Sequence, residues 1–110
     1  MSTKLIITRG NTENPVFKLR YNGQPITASD VKKVEFAFGS EAVIKTYPDD
    51  VEYDTDLGAF RAHLTQEDTF KLPRCATKYQ IRMYFNDGAV KSTPCICMLV
   101  NPSISKVVLE

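Results

Sequence analysis

The sequence predicts an all-β fold, an antiparallel β-sandwich, and three observations carry that reading. Apolar residues recur at period two through most of the chain, turn-forming pairs separate the alternating stretches, and signals for starting a helix are nearly absent. Segment 78–85 is the clearest case. Tyr79, Ile81, Met83 and Phe85 are apolar or aromatic there, while Lys78, Gln80 and Arg82 between them are polar, as expected of a strand with one buried and one wet face. In the same way Val34, Phe36 and Phe38 oppose Lys33 and Glu35, and Phe17, Leu19 and Tyr21 oppose Lys18 and Arg20. Phe60, Ala62 and Leu64 oppose Arg61 and His63. Further strands are expected over residues 4–9, 42–47, 51–55, 90–100 and 104–109, which makes about nine short segments in all.

Turn chemistry lies between them. Asn22-Gly23 and Asp87-Gly88 each offer two adjacent residues that tolerate positive φ, the requirement of a two-residue hairpin turn, and Asp56-Leu57-Gly58 suits a longer loop. Pro15, Pro25, Pro48, Pro73 and Pro102 fall at or near segment ends, whereas Pro94 interrupts the last long strand and marks an edge position or a bulge. The one helical signal is Thr65, placed to cap a single turn before Phe70 and Leu72 return to the core. Tyr79 follows that turn, where immunoglobulin-like sandwiches carry a corner tyrosine whose hydroxyl ties down a loop. The chain has no Trp, and Ile81 stands where an antibody domain has a cysteine. The expected sandwich is therefore immunoglobulin-like and free of disulfides.

At 110 residues, 43% hydrophobic, the chain suits one domain spanning residues 1–110 with one core. Fourteen basic against thirteen acidic residues leave a net charge of +1, which gives no electrostatic reason to expect nucleic acid or membrane as partner. The longest unbroken apolar run, residues 95–100, falls far short of the roughly 20 residues of a membrane span. Three cysteines without framework spacing point to free thiols in a reducing compartment, with Cys95 and Cys97 expected as small buried hydrophobes on one strand face.

Residues with chemical potential are few. His63 alternates onto a polar face, so general-base work would need a partner supplied by the fold. One CxC, the distant Cys75 and a lone His63 lack the paired spacing of a zinc site. The acidic run 49–56 shares Asp54, Asp56 and Gly58 with part of a calcium loop, but no further acid follows until Glu67. Its alternation of Asp50, Glu52 and Asp54 against Val51 and Tyr53 is that of a solvated edge strand. No catalytic, metal-binding or cofactor-binding residues are assigned, and no enzyme activity is expected.

The run Ile6-Ile7-Thr8-Arg9-Gly10-Asn11-Thr12, then Phe17-Lys18-Leu19 and Asn22-Gly23-Gln24-Pro25-Ile26, resembles the opening of small immunoglobulin-like modules in tail and baseplate proteins of phages and prophages. Leu64-Thr65-Gln66-Glu67-Asp68-Thr69, Tyr79-Gln80-Ile81-Arg82 and Asp87-Gly88 are similar to the later half of those modules, in the same order; the N-terminal domain of upper baseplate proteins is the best parallel. Asn11 departs from the aspartate usual there, and the long receptor-facing region of baseplate proteins has no counterpart. The resemblance implies a non-catalytic structural or adaptor module of a virion, present in the host cytoplasm during assembly, whose partners are other virion proteins or further copies of itself. Gly10 is expected to turn the chain sharply, with Asn11 bonding its own backbone two residues on. The tail, with Ile104, Val107 and Leu109, is the expected interaction strand. The alternative is a module binding host-surface carbohydrate, for which Tyr47, Tyr53, Asp54 and Asp56 are the candidate contacts.

Overall fold

Two layers of strands close over an apolar core in the computed structural model, which describes residues 5–39, 43–73, 75–105 and 107–109, with Cys75 described by its backbone. The larger sheet runs β1 (Leu5–Thr8), β11 (Ile96–Asn101), β9 (Cys75–Phe85), β5 (Val31–Phe38) and β6 (Val43–Tyr47), with β10 (Val90–Ser92) pairing β9 beyond the end of β11. The smaller sheet runs β2 (Val16–Phe17), β8 (Ala59–Ala62) and β7 (Val51–Asp54), and β3 (Arg20–Tyr21) pairs β4 (Gln24–Pro25) in a separate hairpin. The ladders are antiparallel except for β1 on β11, which run parallel from Leu5 opposite Met98 to Thr8 opposite Asn101. This is an immunoglobulin-like β-sandwich, and Cys95 and Cys97 are free.

Period two sets the facing. Phe36 and Phe38 of β5 and Ile81 and Met83 of β9 are buried, and Phe36 sits opposite Ile81 in the ladder. From the other layer Phe17 lays its ring 5.1 Å from Phe36 and 5.6 Å from Tyr79, while Phe60 meets Tyr53 at 4.9 Å and Tyr47 at 5.2 Å. Of the aromatic side chains expected inside, Tyr21, Phe70 and Phe85 are only partly buried: Phe85 lies at the end of β9, where its neighbour is the Tyr21 ring at 5.7 Å.

Several expectations on element bounds are corrected. Segment 17–21 divides into β2 and β3, because the Asn22-Gly23 turn draws Arg20 and Tyr21 into their own hairpin with Gln24 and Pro25. Segment 90–100 divides into β10 and β11 around Pro94. Tyr79 is not at the start of its strand, since β9 begins at Cys75; its ring packs between Phe17 and Phe38. At Asp87-Gly88 only Gly88 takes positive φ. The Asp87 carboxylate accepts the Ala89 N–H, and the Phe85 N–H bonds the Ala89 carbonyl, so the loop is one residue longer than a two-residue turn. Of segment 104–109, Lys106 lies outside the described residues, and none of the described ones is in a strand. The segment follows Pro102 and keeps Ile104, Val107 and Leu109 exposed, the Leu109 backbone being held by both amide atoms of the Gln66 side chain at 2.7 and 2.8 Å. A 3-10 turn over Ala28–Asp30 was not expected from the sequence; the Asp30 carboxylate accepts the Thr27 N–H there at 2.8 Å.

Thr65 caps α1 (Gln66–Phe70) as expected: its hydroxyl accepts the Asp68 N–H, and the Asp68 carboxylate accepts the Thr65 N–H. The helix is pinned at both ends of its turn. Lys45 of β6 reaches Asp68 at 2.8 Å, and buried Thr69 accepts the Gly10 N–H while donating to the Asn11 carbonyl. Gly10 adopts φ +88°, and a Cβ there would stand 2.8 Å from the Phe70 ring, so this turn demands glycine twice over. Asn11 does not close the turn with its side chain; the Glu13 carboxylate takes the Thr8 N–H instead.

Phe36→Ala and Ile81→Ala should each cost about 2–5 kcal/mol, read as a lower denaturation midpoint with an unchanged slope. A second prediction concerns acid. Burial disfavours charge on Asp68, but the Lys45 ammonium and the Thr65 N–H outweigh it and hold the carboxyl below its ordinary 3.8. The stability this contributes is complete above the unfolded value and is lost as pH falls through the lower folded one. Lys45→Met should therefore flatten the acid side of the melting-temperature profile below about pH 4 and leave its shape at neutral pH intact.

Candidate interaction surface

The four outermost strands of the two sheets differ in how their free backbone groups are covered. At β1 the Thr8 N–H is taken by Glu13 and the Thr8 carbonyl by the Asn11 N–H, so the turn folds over the edge. At β6 the Thr46 carbonyl accepts the Asp50 N–H at 2.7 Å, which closes the edge where the chain crosses to the other sheet. The edge strand β7 carries Glu52 and Asp54, the solvated acidic edge read from the sequence. At β2 the Pro15 carbonyl accepts from Ala62 and, further on, the Leu19 carbonyl accepts from Ile26. By alternation, Val16, Lys18 and Arg20 turn their backbone groups to the open side, and none of them has a backbone partner there among the described residues.

Among the described residues, no second layer covers the outer face of the larger sheet. Its odd-and-even phase puts Ile6, Ile44, Tyr84 and Val90 in solvent, each at least one-third exposed. Around Tyr84 lies a shallow hollow of about 290 Å³ bordered by Lys33, Glu35, Arg82 and Val90, with Arg82 3.8 Å from Glu35 and the Lys32 ammonium 5.4 Å from the Tyr84 ring centre. Apolar and charged side chains thus lie side by side around Tyr84.

The candidate sugar contacts lie together but are committed elsewhere. The Tyr47 and Tyr53 rings both stand edge-on to Phe60 and are half-buried. Asp54 accepts the N–H groups of Asp56 and Leu57 and the Arg61 guanidinium at 3.2 Å; the Leu57 bond first, then the Asp56 and Arg61 contacts, keep its carboxyl below the ordinary range against the desolvation that opposes them. Asp56 itself is exposed. Sequence reasoning missed the surroundings of His63: Glu52 stands 3.2 Å from Nε2 and Asn14 2.8 Å from Nδ1, so the ring ties the approach to β2 to β7 across β8. Nothing local signals that contact, since Asn14 is 49 residues away in the chain. Among the described residues no group of three or more His, Cys, Asp or Glu is placed to hold a metal ion.

Cys95 and Cys97 are exposed, not buried as expected. The inward phase of β11 is set by Met98 and Val100, and Cys97, Leu99 and Asn101 fall on the other face.

No family model matches the chain, and no curated protein matches it. A solved structure described as fibronectin(III)-like modules of Clostridium thermocellum CbhA is similar to it, with a TM-score of 0.51 and 17% identity. The likeness covers 91% of this chain and 42% of that one, so the chain spans less than half of the protein it matches. At that identity the likeness concerns the fold alone.

Both described thiols should react with a disulfide reagent in the native state without denaturant. In Cys95→Ser/Cys97→Ser the rapid phase should lose two equivalents per chain.

Proposed function

We propose that the chain is a non-catalytic β-sandwich module that works by binding other proteins through the outer face of its larger sheet. The observation that carries this reading is the pair Tyr84 and Val90, opposite one another in the β9–β10 ladder and exposed together on the outer face of the larger sheet. A charged rim of Lys33, Arg82 and Glu35 around Tyr84 supplies orientation. The setting in a phage or prophage tail or baseplate rests on the sequence resemblance at residues 6–12, 17–19, 22–26, 64–69, 79–82 and 87–88. The fold is compatible with that setting and with many others. Carbohydrate binding is the weaker reading, because Tyr47 and Tyr53 turn their edges to Phe60 and do not present a flat exposed platform.

The test is incorporation into particles. Antibody labelling of particles from an induced lysogen should place the protein on the tail. Tyr84→Ser/Val90→Glu, both exposed, should reduce the label at least fivefold with the melting temperature unchanged. Unlabelled particles would remove the virion setting, and full incorporation of the double variant would remove the outer face as the contact.

A further inference from the structure

The smaller sheet does not extend over the whole of the larger one, and the shortfall lies beside β2. Beside Phe17 and Leu19 a groove of about 540 Å³ opens, lined on the larger sheet by Ile81, Met83 and Ile96 together with Thr93. Its lining is mixed apolar and polar, and the charged side chains in it are Lys18 and Arg20, with no carboxylate. The strand along this groove is the one whose outward backbone groups, at Val16, Lys18 and Arg20, are unpaired among the described residues. An unpaired edge, a groove beside it and two cations thus coincide over five residues.

We propose that the β2–β3 edge and this groove form an acceptor site for an extended segment of another protein in which apolar side chains alternate with carboxylates. An added strand would bond the outward N–H and C=O groups of Val16, Lys18 and Arg20, about six hydrogen bonds over roughly 17 Å. Every second side chain of the incoming segment then enters the groove, and the others lie beside Lys18 and Arg20, where opposite charge stabilises a cross-strand pair. The cations decide between occupants. The chain's own tail, in a second copy, offers Ile104, Val107 and Leu109 but brings Lys106 toward two further positive charges. An acidic alternating segment complements both features. The proposal rests on the reading of the chain as a protein-binding module but uses a different surface from the outer face.

The probe is a synthetic peptide with the sequence of residues 49–56, which alternates Glu52, Asp54 and Asp56 with Val51, Tyr53 and Thr55, titrated into the isotopically labelled full chain. Amide shifts should change along 16–20 and 93–96, and affinity should fall at least tenfold when salt is raised from 20 to 300 mM. Lys18→Glu/Arg20→Glu, both exposed, should fold as the parent does and lose binding at least tenfold. Val16→Pro, which removes an outward N–H, should weaken it without touching charge. The proposal is overturned by any of three results: no localised shifts at millimolar peptide, undiminished binding by the charge-reversed variant, or equal binding of a scrambled peptide at the same amides. Tighter binding of a peptide of residues 103–110 would also overturn it and make a second copy's tail the occupant. None of these results touches Tyr84 or Val90, so failure here leaves the outer-face reading to its own test.

Discussion

Phe17 spans the gap between the layers, and the placement of the other elements follows from that contact. It is the only aromatic residue of β2, yet it touches three rings of the opposite sheet, Phe36, Phe38 and Tyr79, at centre distances of 5.1 to 6.2 Å. Offset and tilted ring pairs of this kind add to the apolar area they bury, and here they fix the smaller sheet over β5 and β9. Phe60, opposite Phe17 in the ladder, extends the same floor toward Tyr47 and Tyr53. With β2 and β8 anchored in this way, β7 overhangs β6 and no strand remains to cover the inner face of β11.

That deficit is met in two different ways along β11. At the β1 end the buried Met98, Val100 and Ile7 lie in one core with Leu72, which follows α1, and the turn at Gly10 is bolted to the helix through Thr69. Helix α1 is short but is held from three directions: its own cap, the β6 ammonium and the N-terminal turn. At the Ile96 end there is no corresponding element, and the groove is the result. The same shortage of strands therefore leaves a cluster of side-chain to backbone bonds at one end of the sandwich and a groove at the other.

What could be read in the sequence was whatever depended on local alternation. The inward residues of β5, β8 and β9 and the edge character of β7 follow from period two, and the turn at Thr65 follows from its capping hydroxyl. What was missed depended on phase or on distant partners. Cys95 and Cys97 share one face as their spacing implies, but the apolar character of a free thiol does not decide which face, and the inward phase of β11 is set by Met98 and Val100. The tail was read as a strand on composition, yet a strand needs a neighbour, and β11 already has β9 and β1 on its two sides. The neighbours of His63, and the use of Glu13 in place of Asn11 at the first turn, are contacts that only the folded chain creates. For the candidate surface, exposure could be read for Tyr84 and for the Lys18 and Arg20 pair, whereas the groove beside them depends on how the layers are offset and leaves no trace in the sequence.

The uneven covering of the four edge strands also bears on stoichiometry. Where opposite edges of a module are both free, each copy can pair with the next without limit, and the outcome is a fibre. Here Glu13 with its turn, Asp50, and the carboxylates of β7 each stand on an edge strand, whereas β2 is followed by Lys18 and Arg20. Edges so unlike one another do not match copy to copy, so the strand addition proposed at β2 would not by itself repeat into a fibre of identical chains.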